Sequence, residues 1–350
     1  MSHLLKTRSR NSAFTLVELL IVIAIIGILA SLAAVGVMKA LEKGKMVAAR
    51  LEISQLEAGI SAAKTDLGNV EVLPSVLKLY RSKATFENKA NATNPTTLQP
   101  SDQLAKSSWM FLTKAFGKTI SGESDGTSAD VLEWFGADRN STTGVLTGSS
   151  YWPITAQEPD GSVTLHGMEV LVFLLGGIPA YDTSANKVTF QGFSSARLNP
   201  CEVKPNSNLK RKGPYYDFDT ARISCRKLDT SGYFTNYIAN NLMNDYKPKF
   251  YTYKNPYDGY YAYFASTDYK TYYFNTPLYF GSNSLYPFKT GTGLYPYVNP
   301  KTFQIISQGQ DQTFGSGGTY TAGVGDYVLG GVGYDDMSNF ATTILGKKDE

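Results

Sequence analysis

Carboxylates near the carboxy terminus are the side chains whose grouping in this sequence could do chemistry. Asp311 precedes a glycine-rich segment, Asp326 lies within it, and the adjacent pair Asp335 and Asp336 follows it. The segment from Gly315 to Gly333 contains eight glycines, so hydrophobic packing alone should hold it poorly. Calcium binds about six to eight oxygens, and carboxylates that otherwise repel each other become favourable neighbours around such a cation. We therefore predict a structural calcium site formed by these acids and backbone carbonyls; a solvated loop with unpaired acids is the alternative.

The sequence offers few of the other groups that catalysis requires. Its two histidines, His3 and His166, are too few for a histidine-rich metal site or a well-supported nucleophilic triad. We therefore predict that the chain is not an enzyme and has no catalytic cofactor. A membrane-anchored enzyme built on carboxylates alone is the alternative that the sequence leaves open.

The two cysteines, Cys201 and Cys225, are separated by a turn-rich segment. Two cysteines fit a reduced cytosolic protein with free thiols as well as an exported protein with one bridge. If the domain is exported, a disulfide between them would close this segment and stabilise the fold by roughly 3 kcal/mol.

Glu18 is the one charged residue in an apolar run that extends from Phe14 to Met38. As a helix, this run would be about 37 Å long, which is enough to span a bilayer core of about 30 Å. A carboxylate without a partner is costly inside a membrane, so we expect Glu18 to have one. The alternative is that its side chain reaches the lipid headgroups from near the helix end.

Basic charge is concentrated in a leader before this run. Lys6, Arg8 and Arg10 lie in the first thirteen residues, which contain no acid, and the whole chain has a net charge of +3. Positive charge before a first apolar helix keeps that end cytoplasmic, so the rest of the chain should be exported. Without the leader the chain is formally neutral, so we expect no nucleic-acid partner.

Two simpler interpretations of the apolar run remain open. One is a secretory signal peptide with a small-residue exit, such as Ser31-Leu32-Ala33 before Ala34. The carboxylate near the start of the run and the helical pattern beyond that exit count against it. The other is a plain transmembrane anchor that is neither processed nor assembled.

Beyond Met38 the apolar residues recur at spacings of three and four, which predicts one stripe of an amphipathic helix. The stripe consists of Met46, Ala49, Ile53, Leu56, Ile60, Ala63 and Leu67. Charged residues stand between them and should keep the other faces of the helix in water: Lys43, Lys45, Arg50, Glu52, Glu57, Lys64 and Asp66. Because no proline interrupts the chain from Phe14 to Leu67, we predict one helix of about 80 Å that ends at Gly68 and Asn69.

The residues Ala13-Phe14-Thr15-Leu16-Val17-Glu18-Leu19-Leu20 resemble the class III signal of type IV pilins and of the pseudopilins of type II secretion. The resemblance implies that a prepilin peptidase cuts between Ala13 and Phe14 and methylates the new amine of Phe14. The family usually has glycine where Ala13 stands. The resemblance also implies that Glu18 pairs with the N-terminal amine of a neighbouring subunit as the helices bundle.

Two weaker resemblances favour the major pseudopilins. One is Thr65-Asp66-Leu67-Gly68 with Pro74, and the other is the closing calcium loop of that family, which segments 307–311 and 335–340 resemble. They imply a structural subunit of a type II secretion pseudopilus that drives protein export. Its partners would be copies of itself, other pseudopilins, an inner-membrane assembly platform and a secretion ATPase. The alternative, which would assemble by the same helix packing, is a major or minor type IV pilin for adhesion, motility or uptake.

The middle of the chain predicts loops and then strands. Residues 84–150 are rich in polar turn formers and indicate loops around short helices. The apolar run from Met168 to Leu175 fits either a buried strand or a core helix. Alternating tyrosines between Tyr246 and Tyr297 predict strands of an antiparallel sheet, and exposed tyrosines that bind glycans or partner proteins are the alternative.

Together these features predict a pilin-like α+β fold, with a long N-terminal helix packed on an antiparallel β-sheet and a large loop-rich insertion. Its parts would be a leader (1–13), a transmembrane helix (14–38), an amphipathic continuation (39–67) and an exported globular domain (68–350) with a C-terminal loop (307–340). The chain would cross the bacterial inner membrane once, in contact with lipid, with its N-terminus cytoplasmic and its globular domain periplasmic.

Overall fold

The computed structural model describes residues 16–80, 83–91, 100–116, 162–182, 187–195, 210–228, 234–239, 251–266, 278–280, 283–291, 296–321 and 331–346. The chain divides into two compact units, Met1–Val47 and Ala48–Glu350. Helix α1, Leu16–Asp66, contributes residues to both units.

Helix α1 has 51 residues, so it is about 77 Å long at the α-helical rise. The helix is continuous through Gly27 and Gly36, although glycine lowers helix propensity at both positions. An apolar run followed by an amphipathic stretch without proline predicts such a helix. This prediction is confirmed over the described residues.

Helix α1 ends where Gly68 adopts a left-handed backbone conformation. The φ angles of Gly68 and Asn69 are +80° and +51°, and the amide of Val70 donates to the carbonyl of Lys64 at 2.9 Å. A Cβ atom on Gly68 would lie 2.3 Å from the carbonyl oxygen of Lys114. Glycine is therefore required here by both its φ angle and the close approach of another backbone.

In the second unit, the predicted apolar stripe is the buried face of α1. Ala49, Leu56, Ile60 and Ala63 have no exposed surface, and Ile53 is 3% exposed. Because apolar surface leaves water when it is buried, this stripe stabilises the attachment of residues 48–66 to the rest of their unit.

Among the described residues, three shorter α-helices follow: α2 (Lys83–Ala90), α3 (Pro100–Phe116) and α4 (Met168–Gly176). Phe86 of α2 and Trp109 of α3 pack edge to face, with ring centroids 4.8 Å apart. All nine residues of α4 are buried, as expected of a helix that is apolar on every side. The sequence pattern could not distinguish a strand from a helix for this run, and the structure has a helix.

The strands of the described residues form six small sheets, in which every strand pair is antiparallel. Four are two-stranded: β1 (Val76–Tyr80) with β2 (Ser162–His166), β3 (Pro179–Asp182) with β4 (Lys187–Phe190), β5 (Phe193–Ser194) with β6 (Arg211–Lys212), and β11 (Leu278–Phe280) with β12 (Asn283–Leu285). One three-stranded sheet has the strand order β8 (Phe234–Ala239), β7 (Ile223–Leu228) and β9 (Tyr251–Tyr253). The other three-stranded sheet has the strand order β10 (Tyr261–Ala265), β13 (Phe303–Ser307) and β14 (Met337–Ser338). The long helix and these small antiparallel sheets confirm the predicted α+β fold class.

The tyrosine-rich strands lie in the interior of the second unit. Tyr251 and Tyr253 of β9 and Tyr261 and Tyr263 of β10 are all at most 6% exposed. A neighbouring apolar cluster consists of Ala262, Phe264, Leu285, Phe288, Tyr297, Val298, Ile306, Phe314 and Leu345. The alternation of tyrosines in β9 and β10 therefore reflects packing, and the alternative of a displayed binding surface is wrong for these four tyrosines.

Candidate functional site

The candidate site begins with the apolar surface of α1 in the first unit. Large apolar side chains between Leu16 and Met38 are 45% to 78% exposed. Within the described residues, α1 is the one helix long and apolar enough to cross a membrane, and no residue of its most apolar part is buried. Apolar surface of this extent requires lipid or other apolar helices to cover it.

Glu18 lies in the first turn of α1, within this apolar surface. The amino-terminal end of a helix carries partial positive charge, which favours a carboxylate at this position. Ala13 and Phe14 lie outside the described residues. Cleavage between them, methylation of Phe14 and the pairing of Glu18 with a neighbouring amine therefore stay predictions.

Gly27 and Gly36 give the exposed helix two positions without a side chain. A Cβ atom added at either glycine would meet no other atom within 4 Å, so neither glycine is required by a contact inside the chain. Small residues on apolar helices let a second helix approach closely. Both positions are thus available for packing against another helix.

The second part of the site attaches residues 48–66 of α1 to the sheets of their own unit. Both carboxylate oxygens of Glu52 accept hydrogen bonds from the guanidinium of Arg222, which precedes β7. The phenol of Tyr261 also donates to Glu52 Oε2, at 2.6 Å. The Glu52 side chain is only 13% exposed. The prediction that charged residues keep the other faces of α1 in water is therefore wrong for Glu52.

The phenols near Glu52 stay protonated at neutral pH. Burial raises the pKa of Tyr253 to about 12, with the nearby Glu52 carboxylate adding to the effect. Burial and then the charge of Glu52 also raise the pKa of Tyr261 well above its usual value. A phenol whose pKa is raised stays protonated at neutral pH and is then a poor base and nucleophile. This cluster is therefore suited to a structural contact and not to catalysis.

Other polar side chains of α1 bind distant parts of the chain as well. Tyr215 donates to Asp66 Oδ2 and Lys212 donates to the Asp66 carbonyl, both at 2.8 Å, so the carboxy-terminal end of α1 is capped by a segment 146 to 149 residues away. Arg50 donates to the carbonyl of Thr342. Sequence reasoning missed these contacts because no local pattern pairs residues so far apart.

The acids of the carboxy-terminal loop lie together in the structure. Asp336 has no exposed surface, and its two oxygens accept from the amides of Gly309 at 3.3 Å and Gly315 at 2.9 Å. Asp335 Oδ2 accepts from the amides of Gln310 and Asp311. Asp311, Asp335 and Asp336 therefore lie near one another, and hydrogen bonds to these carboxylates connect the two ends of the loop.

Burial changes the acidity of this group. It raises the pKa of Asp336 to about 8, and the negative charges of Asp335 and Asp311 act in the same direction, while the amide hydrogen bonds oppose the rise. Burial also raises the pKa of Asp311, with the charge of Asp335 contributing. The loop thus favours a bound proton or another neutralising charge near Asp336.

The calcium site stays a prediction. In the part of the chain that the structure describes, no group of three or more His, Cys, Asp or Glu residues is arranged to hold a metal ion. Asp326, the fourth predicted ligand, lies outside the described residues. The carboxylates of Asp335 and Asp336 supply oxygens of the type that calcium prefers, and the same oxygens bind backbone amides.

The predicted disulfide also stays a prediction. Cys225 lies in β7, between the neighbouring strands β8 and β9, and is paired in register with Ile238 and Tyr251. Cys201 lies outside the described residues, so no distance between the two cysteines is defined.

Residues 8–34 match the family model described as the prokaryotic N-terminal methylation motif. This segment contains Ala13, Phe14 and Glu18. Neither the curated proteins nor the solved structures contain a significant match to the chain. The matched motif is typical of type IV pilin-like proteins, which are structural rather than enzymatic, are processed by prepilin peptidase and assemble with other proteins of the pilin family. Together with the apolar helix, it indicates membrane anchoring.

Proposed function

We propose that this chain is a structural subunit of a type II secretion pseudopilus. The observation that carries the proposal is an apolar helix, exposed along the first unit, that has Glu18 in its first turn and a methylation motif over residues 8–34. In this proposal, a prepilin peptidase removes the leader before Phe14 and methylates the new amine. Subunits are stored in the inner membrane and then added to a filament that drives the export of folded proteins.

The physical basis for assembly is the cover that α1 requires. In the membrane, lipid covers the exposed apolar side chains, and in a filament the helices of neighbouring subunits would replace it. Glu18 then pairs with the amine of Phe14 on a neighbouring subunit, which neutralises two charges in an apolar environment. This pairing also sets the axial position of one helix relative to the next.

The proposed orientation follows from the leader. Lys6, Arg8 and Arg10 keep the amino terminus on the cytoplasmic side, where the peptidase cuts, and the globular domain is then periplasmic. The assembly platform and the secretion ATPase act on the subunit at this membrane.

The carboxy-terminal loop favours secretion over a pilus. Its segments 307–311 and 335–340 resemble the closing loop of major pseudopilins, and the acids of that loop lie together in the structure. A pilin that displays tyrosines for adhesion has less support, because the tyrosines of β9 and β10 are buried. A secretion pseudopilus and a pilus would both use α1 in the same way, so α1 does not distinguish them.

The proposal is tested by Glu18→Ala in cells that carry the secretion system. We expect normal insertion and processing with loss of filaments and of secreted protein, because the variant removes the charge pairing but leaves the helix apolar. Glu42→Ala is the matched control, since Glu42 is an exposed carboxylate of the same helix beyond Met38. Normal filaments and secretion in Glu18→Ala would contradict the proposal. Loss of filaments in Glu18→Ala with unchanged secretion would favour a pilus.

A further inference from the structure

Two kinds of contact hold residues 48–66 of α1 in place: apolar contacts, which have no preferred direction, and hydrogen-bonded ion pairs, which do. The apolar stripe around Ile53, Leu56 and Ile60 is buried, but apolar contact has no preferred direction and repeats along the helix at each turn. A helix held by such a stripe alone is restricted in its axial position only by the fit of its side chains. Directional contacts restrict the register further.

Glu52 and Arg222 form the most buried and most highly connected of these directional contacts, beside those that Arg50, Glu57 and Asp66 make with remote residues. The guanidinium Nη1 donates to Glu52 Oε2 at 3.0 Å and Nη2 donates to Oε1, so the carboxylate is bound at both oxygens. A bidentate pair of two planar groups fixes orientation as well as distance. Both side chains are largely out of water, since that of Glu52 is 13% exposed and that of Arg222 is 25% exposed.

Arg222 is itself fixed by several neighbours. Its Nε donates to Asp219 Oδ2 at 3.2 Å, and its Nη1 donates to the carbonyl of Lys254 at 3.3 Å. Its guanidinium carbon lies 4.6 Å from the ring centroid of Tyr253, a cation–π arrangement. Arg222 therefore cannot follow a displaced helix without losing these contacts.

Glu52 joins the helix to both three-stranded sheets. Through Arg222 and Tyr253 it is connected to the sheet that contains β9, and through the hydrogen bond from Tyr261 it is connected to the sheet that contains β10. The rings of Tyr253 and Tyr261 are stacked, with centroids 6.2 Å apart and an interplanar angle of 10°. One carboxylate of α1 is thus the common partner of the two sheets.

We propose that Glu52 and Arg222 are positioning residues that fix the register of the two sheets on residues 48–66 of α1, and that filament assembly depends on this register. This inference rests on the proposed function, because a filament brings identical surfaces together at one repeated geometry. A slip of one helical turn displaces the sheets by about 5.4 Å along the helix, so surfaces that meet in the filament would no longer match.

The first experiment compares Glu52→Gln with Asp258→Asn in the full-length chain in its membrane. The Glu52→Gln substitution keeps the shape of the side chain but removes the charge that binds Arg222. Asp258 also forms an ion pair, with Lys254 at 2.7 Å, but its side chain is 73% exposed, so it serves as the matched control. We expect a loss of filaments of about tenfold or more for Glu52→Gln and no loss for the control. Membrane level and processing should be unchanged in both.

The second experiment separates register from other roles of the carboxylate. A Cβ atom on Gly59 would lie 3.6 Å from Cβ of Tyr216, which is within the range of about 3.5–4.5 Å seen in disulfides. It would also lie 3.0 Å from the carbonyl oxygen of Tyr215, so the backbone there has to move slightly to admit it. Gly59→Cys with Tyr216→Cys, in a chain that also carries Cys201→Ser and Cys225→Ser, should therefore cross-link when the register is native. We expect Glu52→Gln to lower the cross-link yield, and oxidation to restore filaments to the cross-linked fraction.

A chain with native Glu52 and the same cysteine pair is the parent in both states of oxidation. Full filament yield in Glu52→Gln, or a native cross-link yield without filaments, would overturn the inference. Since the cross-link is measured without filaments, it also reports register if the proposed function is wrong. That function itself fails if the unaltered chain forms no filaments or if Glu18→Ala forms normal ones.

Discussion

The side-chain amide of Asn339 donates to Glu57 Oε1 at 2.9 Å, which joins the carboxy-terminal segment to helix α1 across 282 residues of sequence. Asn339 also exchanges two hydrogen bonds with Ile305 of β13: its backbone amide donates to the Ile305 carbonyl at 3.1 Å, and its side-chain oxygen accepts from the Ile305 amide at 2.9 Å. One side chain thus connects this segment to the sheet and to the helix.

This arrangement predicts that Asn339→Asp destabilises the second unit by about 2 kcal/mol. The new carboxylate would face Glu57, and the donor to Glu57 would be lost. Glu57→Gln in the same chain should recover part of the loss, because its amide can donate to the new carboxylate. Urea denaturation of the two single variants and the double variant measures the coupling. Strictly additive effects would contradict the contact.

The cleavage prediction has a direct measurement in intact mass. The mature chain should begin at Phe14 and carry one added methyl group, because the methylation motif covers residues 8–34. Ala13→Gly is the matched variant and should be processed at least as completely, since it restores the residue that the family usually has before the cut. A full-length chain, or an amino terminus near Ala34, would contradict the prediction.

Helix α1 could be predicted from sequence because its causes are local. The apolar run, the stripe that includes Ile53 and Leu56, and the stop at Gly68 each depend on residues within a few positions of one another. The helix α4 could not be assigned because a segment that is buried on every side has no periodic pattern. Apolar character alone fits both a helix and a strand.

The attachment of the helix could not be predicted, because its partners are remote in sequence. Glu52 binds Arg222 at a separation of 170 residues. From sequence, the charge of Glu52 predicts only that it lies on a solvent-exposed face of the helix. The division of the described strands into six small sheets could not be predicted either, since strand patterns indicate where strands lie but not which strands pair. Asp311, Asp335 and Asp336 lie near one another in the structure, whereas Asp326, the fourth acid of the predicted site, lies outside the described residues.

Two glycines, one inside α1 and one at its end, should respond in opposite directions to alanine. Gly68→Ala should destabilise the second unit by more than about 1 kcal/mol, because φ is +80° and the new Cβ would collide with the Lys114 carbonyl. Gly44→Ala should leave the fold intact and favour the helix by up to about 1 kcal/mol, because Gly44 is helical and has open space around it. Thermal midpoints of both variants test this contrast, and equal midpoints would contradict it.

The buried acid Asp336 predicts a dependence of stability on pH. Its pKa is about 8 in the folded chain, against 3.8 for an ordinary aspartate. Between these values the folded state holds more protons than the unfolded state, so the free energy of unfolding should fall as pH rises toward 8. Asp336→Asn, which cannot ionise, should flatten this dependence in thermal melts recorded with a chelator present. A wild-type midpoint that does not change with pH would contradict it.

Calcium should reverse this behaviour if it binds the carboxy-terminal loop. A cation binds the ionised carboxylates, so it competes with the proton of Asp336 and stabilises the fold more as pH rises. Chelation should therefore lower the thermal midpoint and expose residues 311–340 to protease clearly at pH 8 and much less at pH 5.

The Asp335→Ala variant should lose the response to calcium, because Asp335 lies beside Asp336 and Asp311. The control variant Asp258→Asn should keep the response to calcium, because that acid is exposed and lies outside the loop. Identical melting curves with calcium and with chelator at pH 8 would dispose of the calcium site, and the proton of Asp336 would then be the charge that neutralises the loop.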